Sequence, residues 1–244
     1  MSRYVALACS ALARSIYSLA ASGPHIVTVR LFDQGLHNTP GDLCQQLQSA
    51  IDAIHPEEAD AILLVYGICG TSTPGLRAGQ IQLVIPRAHD CVTLYLGSRQ
   101  RYQEEFDAHP GTYWYSADYL ERSKSNAGLG ALLPGMIDST YEDYVARFGQ
   151  DNADYLMSVM GEWGKHYTRA VFIDTGQGDT EHFEQMAHDQ ARRRGWEFER
   201  IAGNRRLLEM LVNGQWEDDE FLVVPPDHMI RQTSDTGLLE AVPA

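Results

Sequence analysis

The sequence predicts an α/β protein on a mostly parallel, doubly wound (Rossmann-like) sheet, a single unit over residues 1–244 whose length admits two sheet halves. Three observations predict it. Short apolar runs of strand length alternate with longer segments of helical periodicity. The runs are continuously apolar, as in Ala61 to Val65, the pattern of strands covered on both faces. Polar or glycine-rich loops follow several runs, at the strand ends where open α/β sheets carry their chemistry.

Val5 to Ala8 reads as the first strand and Ala11 to Ala21 as a helix, stopped at Gly23-Pro24. Ile26 to Phe32 is rich in β-branched residues and reads as the second strand. After the polar loop Asp33 to Gly41, the spacing of Leu43, Leu47, Ile51 and Ile54 predicts a helix over Asp42 to Ile54. Strands at Ala61 to Val65 and Ile81 to Ile85 flank a loop carrying Gly67, Gly70, Gly75 and Gly79, and Val92 to Phe106 reads as one helix. An irregular excursion at about 107–150 follows, broken by Pro110-Gly111 and Pro134-Gly135. A helix at Asp151 to Tyr167, a strand at Ala170 to Ile173, a helix at Glu181 to Arg194 and a strand at Trp196 to Ile201 resume the alternation. A helix at Arg205 to Leu211 and a strand at Glu220 to Val224 complete it.

Composition narrows the function classes. With 44% hydrophobic and 21% charged residues the chain is an ordinary globular one. Its formal net charge of −14 argues against a nucleic-acid partner, because neutralising phosphates takes clustered Lys and Arg. The one basic cluster, Arg192-Arg193-Arg194, closes a predicted helix, where cations complement the helix dipole. No apolar stretch reaches membrane-spanning length, and Arg14-Ser15 interrupt the Ala-rich beginning, so a cytoplasmic protein without a membrane partner is expected. Four cysteines are too few for a disulfide scaffold in a chain this long, and a cluster of them points to metal binding or catalysis.

Three of those cysteines stand at equivalent places. Cys9 ends the first strand, Cys69 follows the third in Tyr66-Gly67-Ile68-Cys69-Gly70, and Cys91 follows the fourth in Pro86-Arg87-Ala88-His89-Asp90-Cys91. With His89 they form a candidate ligand set for a soft metal: zinc first, with an open catalytic position. A [4Fe–4S] cluster on the three thiolates comes second. Asp90 fits the N-cap of the next helix, which puts Cys91 in a first turn where the dipole lowers a thiol's pKa. A metal-free alternative makes Cys69 a nucleophile with His89 as base and Asp90 orienting it. Arg87 is either a clamp on an anionic substrate group or the partner of a nearby acid, and His37 is a further ligand or base. Cys44 lies within a helical pattern and is excluded from the set.

Two turns are candidate ligand loops: Asp174, Thr175 and Gly176 at a strand end, and Thr71 and Ser72 just past Cys69. Neither carries the spacing of a dinucleotide fingerprint or the lysine of a P-loop. The aromatics Tyr113, Trp114, Tyr115, Trp163 and Tyr167 could cage a methylated ammonium, although packing is their commoner use.

The combination Leu36-His37-Asn38, Tyr66-Gly67-x-Cys69-Gly70, Gly75-Leu76, Ile85 to Cys91, Leu96-Gly97-Ser98-Arg99, Pro110-Gly111-Thr112-Tyr113 and Asp174-Thr175-Gly176 resembles a domain-of-unknown-function family, the one numbered 1638. The resemblance runs through nearly the whole chain and names no reaction. It implies a neighbourhood of corrinoid-dependent methyltransferases acting on methylated amines. The chain departs from the family's Pro-Pro-Gly-His ending with Asp227 after Pro225-Pro226. Residues and resemblance together predict a metal-dependent enzyme of small-molecule metabolism, in methyl or one-carbon transfer on a methylated amine or thiol. The contrasting expectation is a non-catalytic metal-binding accessory or metallochaperone of a corrinoid methyltransferase system.

Overall fold

The computed structural model describes residues 1–69, 71–123, 145, 149–151 and 166–244. Strand β1 (Arg3–Cys9) leads through a 3-10 turn into α1 (Ala13–Ser22), and β2 (Ile26–Phe32) follows. A second 3-10 turn (Gln34–Asn38) precedes α2 (Pro40–Asp52), then β3 (Ala61–Val65) and β4 (Leu83–Pro86). Next come α3 (Cys91–Leu96), α4 (Arg99–Ala108), β5 (Thr112–Ser116) and α5 (Ala117–Arg122). Beyond lie β6 (Arg169–Asp174), α6 (Thr180–Arg194), β7 (Glu197–Ala202), α7 (Arg206–Val212) and β8 (Phe221–Val224). The strands β9 (His228–Gln232) and β10 (Leu239–Pro243) pair as an antiparallel hairpin.

The chain is mixed α/β and divides into two compact units, Met1–Tyr102 with Gly203–Ala244, and Gln103–Ala202. The first holds a five-stranded sheet in the order β2-β1-β3-β4-β8. Its first four strands run parallel, and β8 is an antiparallel edge on β4. Side chains alternate across it as the period of a strand requires. Val5 and Leu7, Ile62 and Leu64, and Leu83 and Ile85 share one buried cluster with Leu43, Leu47 and Ile51 of α2. All five residues of β3 are buried, which is why that run reads as unbroken apolar sequence rather than an alternating one.

The second unit has its own parallel sheet, β5-β6-β7. Its first strand lies inside the stretch expected to be irregular. The sequence Thr112 to Ser116 is wholly buried, so the aromatic run is the strand itself. Tyr113 packs its ring 5.1 Å from Tyr115, 5.3 Å from Tyr167 and 5.4 Å from Trp196. These rings form core, which leaves Tyr113 and Tyr115 no open face for an ammonium. Trp163 and most of the helix expected over Asp151 to Tyr167 lie outside the described residues.

Two further differences have local causes. The single helix expected over Val92 to Phe106 divides because Gly97 takes the left-handed conformation at φ 69° and caps α3. The hairpin of β9 and β10 escapes notice because only Ile230 and Leu239 of it are buried, too few to make an apolar pattern. It closes onto the loop after β3: Gly75 N donates to Ile230 O at 2.8 Å and Ala78 N to His228 O at 2.8 Å. Asp227, in the turn before it, has φ 60°. That is the backbone region glycine prefers and aspartate tolerates, so the departure from Gly in Pro-Pro-Gly-His keeps the turn.

Candidate functional site

The parallel register builds the site. Ala8 of β1 is level with Val65 of β3, so one step further Cys9 stands abreast of Tyr66 on the same sheet face. The strand order reverses between β1 and β3, since β2 lies on one side of β1 and β3 on the other. In open α/β sheets the crevice outside such strand ends is the usual ligand position. The loop past β3 is then fastened to the loop past β4: Ile68 N donates to Ala88 O at 2.8 Å and Cys69 N to His89 O at 2.9 Å. Gly67 makes that contact possible. A Cβ there would meet Asp90 N at 2.7 Å and Ala88 O at 2.8 Å, all main-chain atoms that cannot swing away. Cys69 and the Asp90-Cys91 turn are therefore held together by backbone.

Asp90 caps α3, its carboxylate accepting from Val92 N at 3.0 Å and Thr93 N at 3.3 Å. Cys91 opens the helix. Tyr102 donates its hydroxyl to the other Asp90 oxygen at 3.3 Å. Ser72, fully buried, donates to Cys69 O at 2.9 Å. Cys69 itself has φ 47°, an uncommon conformation for a residue with a side chain. Strain of this kind costs on the order of 1 kcal/mol and concentrates at functional positions.

Cys9, Cys69 and Cys91 each keep part of their surface open to solvent. Dense protein around Cys69 and Cys91 nevertheless dominates their titration. Burial pushes the Cys69 thiol well up, and the neighbouring Cys9 and Asp90 push it further. Cys91 is likewise raised by burial, then by Asp90, Cys69 and Cys9. Each of the three thiols is thus within electrostatic reach of the others. The helix dipole, which predicts a lowered Cys91 thiol, is outweighed by burial and three acidic neighbours. Thiols so placed are protonated at neutral pH, which weighs against Cys69 as a free nucleophile. Among the described residues no three His, Cys, Asp or Glu side chains stand close enough to share a single metal ion.

Tyr66 was not singled out from sequence. It is 2% exposed, and its hydroxyl has no hydrogen-bond partner among the described residues. Burial raises its phenol far above the ordinary value, followed by Cys9 and Cys69. A buried tyrosine ending an apolar run and needing a partner for its hydroxyl is the signal that could have found it. Tyr102, four residues inside α4, had no comparable signal.

The other candidates distribute as follows. His89 is exposed, its ring 6.0 Å from that of Tyr102, and Asp90 spends its carboxylate on amides and Tyr102 rather than orienting an imidazole. Arg87 is engaged by main-chain carbonyls: Nε by Asp218 at 2.7 Å and Phe221 at 3.1 Å, Nη1 by Gly237 at 2.7 Å and by Leu239. It staples two loops. His37 turns its Nδ1 to Gln34 O, and burial holds its ring below the ordinary value. Thr71 is exposed and lines a groove with Gly41, Cys44, Gln48 and Arg77. Cys44 directs its Sγ to Pro74 O at 3.9 Å.

Asp174, Thr175 and Gly176 stand in the second unit, at the end of β6. Asp174 accepts from Gly176 N at 2.8 Å and pairs with Arg200 Nη2 at 2.5 Å, which holds its carboxyl below the ordinary value. The Thr175 hydroxyl is buried without a hydrogen-bond partner among the described residues.

These features define a mixed α/β protein with a cluster of thiols at neighbouring parallel strand ends. More particularly, the chain belongs to the family described as protein of unknown function DUF1638, whose model matches residues 31–212. The match includes Tyr66, Cys69 and Cys91; Cys9 precedes it. No curated protein and no solved structure matches the chain.

Proposed function

We propose that this chain is a metal-dependent enzyme of small-molecule metabolism whose centre is held by Cys9, Cys69 and Cys91 on a doubly wound, Rossmann-like sheet. The observation that carries the reading is the convergence of three thiols at the strand-order reversal, with Cys69 raised by Cys9 and Cys91 raised by both Cys69 and Cys9. Thiols that repel one another's ionisation are discharged by a cation, so a metal ion turns an unfavourable cluster into a favourable one.

Of the two metal readings we favour a [4Fe–4S] cluster, which takes one thiolate per iron and so does not require three donors around a single ion. Sulfurs bound to one zinc sit roughly 4 Å apart at bonds of about 2.3 Å. Those on a cluster bind different irons and stand wider. The three thiols sense one another electrostatically, yet among the described residues no three donors are close enough for one ion. Cys9, Cys69 and Cys91 would hold three irons of such a cluster, and the fourth would supply Lewis-acid chemistry to a substrate. The chain's own part is to hold that face: Ser72 fixes the Cys69 carbonyl, Asp90 anchors Cys91 through the helix cap, and Tyr102 anchors Asp90. The substrate class carried by the resemblance is a methylated amine or thiol, with methyl or one-carbon transfer as the reaction. A cytoplasmic setting, where thiols stay reduced, accords with this reading.

The test is elemental analysis of anaerobically purified protein with its visible spectrum. Brown protein with about four irons and matching sulfide per chain is the expected result. Stoichiometric zinc in colourless protein moves the centre to the zinc reading. Protein that holds neither after loading with iron and sulfide or with zinc overturns the metal site.

A further inference from the structure

The Tyr66 hydroxyl is a buried polar atom close to the thiols that finds no hydrogen-bond partner among the described residues. Register puts Tyr66 beside Cys9 on one face of the sheet, and the chain reaches Cys69 three residues later. Tyr66, Cys9 and Cys69 belong to the same packed cluster. At 2% exposure the side chain is out of reach of bulk water, and its hydroxyl has no hydrogen-bond partner among the described residues. Leaving a buried hydroxyl unsatisfied costs free energy, whereas phenylalanine would fill the same place without that cost. Ser72 and Thr73, also buried in this loop, both donate to main-chain carbonyls, so the loop satisfies its own buried hydroxyls.

We infer that Tyr66 is a positioning residue whose hydroxyl donates a hydrogen bond to the centre held by Cys9, Cys69 and Cys91. The inference rests on the proposed metal site and adds a group to it. A phenol donates to sulfide or thiolate sulfur, and a hydrogen bond to such a sulfur stabilises the more negative state of the centre and so raises its reduction potential.

Tyr66→Phe separates the roles, with melting temperature measured before and after anaerobic loading with ferrous iron and sulfide. In the metal-free protein the variant should melt higher than wild type, by roughly 3 °C, because the unsatisfied hydroxyl is gone. In the loaded protein the order should reverse at equal iron content, and the variant's reduction potential should be more negative. If only zinc loads, the reversal of melting order in the zinc-loaded protein is the deciding readout. Equal loading with the same melting order in both states, or with an unchanged potential in the iron form, overturns the role of Tyr66 and leaves the metal site standing. A wild-type protein that loads no metal overturns both.

Discussion

The ends of β3 and β6 are both glycine-bearing strand ends, and they handle polar groups in opposite ways. After β6 the carboxylate of Asp174 is answered by Arg200, which also pairs with Glu184 at 3.1 Å, and by the amide of Gly176. Apart from the Thr175 hydroxyl, that turn is closed upon itself. After β3 the Cys69 and Cys91 thiols are raised by burial and by the acidic groups around them, Asp90 included, and the buried Tyr66 phenol, with no hydrogen-bond partner among the described residues, belongs to the same packed cluster as Cys9 and Cys69. A turn that satisfies its own charges needs no ligand. One that concentrates acidic groups around an unpartnered donor is stabilised by a cationic one.

The comparison breaks first at the cysteines. Replacing Cys69, Cys91 or Cys9 by Ala should abolish metal retention, while Cys44→Ala should leave it intact, measured as metal per chain after identical loading. Retention without Cys9, or loss without Cys44, would mean that a different set of thiols does the binding.

The next effect is on pH. Cys69 and Cys91 are raised, so both hold their protons at neutral pH in the metal-free protein and must release them on binding. Apparent affinity should therefore rise with pH, by about tenfold per unit for each proton expelled. Competition with a chelator across neutral pH measures it, and a flat profile would contradict thiol ligation. Asp90→Asn keeps an acceptor for the cap and removes one of the charges that raise both thiols. Their alkylation should then begin at lower pH.

Arg87→Lys sharpens the contrast between scaffold and site. Losing the planar fork that binds carbonyls of two loops should cost on the order of 2 kcal/mol of stability, read from denaturant unfolding, with metal content unchanged. Reduced metal content at unchanged stability would instead restore Arg87 to the site. The smallest effect belongs to Asp174→Asn. The carboxyl is held below its ordinary value, so its contribution is present at neutral pH and fades as pH falls through the ordinary carboxylate range and below. The variant should be slightly less stable than wild type at pH 7 and equal to it in acid, with metal retention untouched.

The sequence revealed the parallel strands of the first unit and the alignment of Cys9, Cys69 and Cys91 at their ends, because continuous apolar runs and loop position are local signals. It concealed β5, whose buried aromatics sit between Pro-Gly and an unpatterned stretch. Pairing partners for Arg87 were also beyond reach, since the carbonyls it binds lie more than 130 residues away. The direction of the Cys91 shift went astray for a related reason. A helix dipole can be read from neighbours in sequence, but burial and two distant thiols cannot.

The hairpin of β9 and β10 gives the site a timetable. Residues 75–78, which continue the loop that carries Cys69, find main-chain partners at His228 and Ile230, some 150 positions later in synthesis. A nascent chain on the ribosome can align β1, β3 and β4 long before those residues emerge, so the thiols are present while their retaining loop is still loose. The loop that carries Cys69 is therefore fastened only once His228 and Ile230 have emerged, and ribosome-bound chains halted before His228 would carry Cys9, Cys69 and Cys91 without a finished cradle.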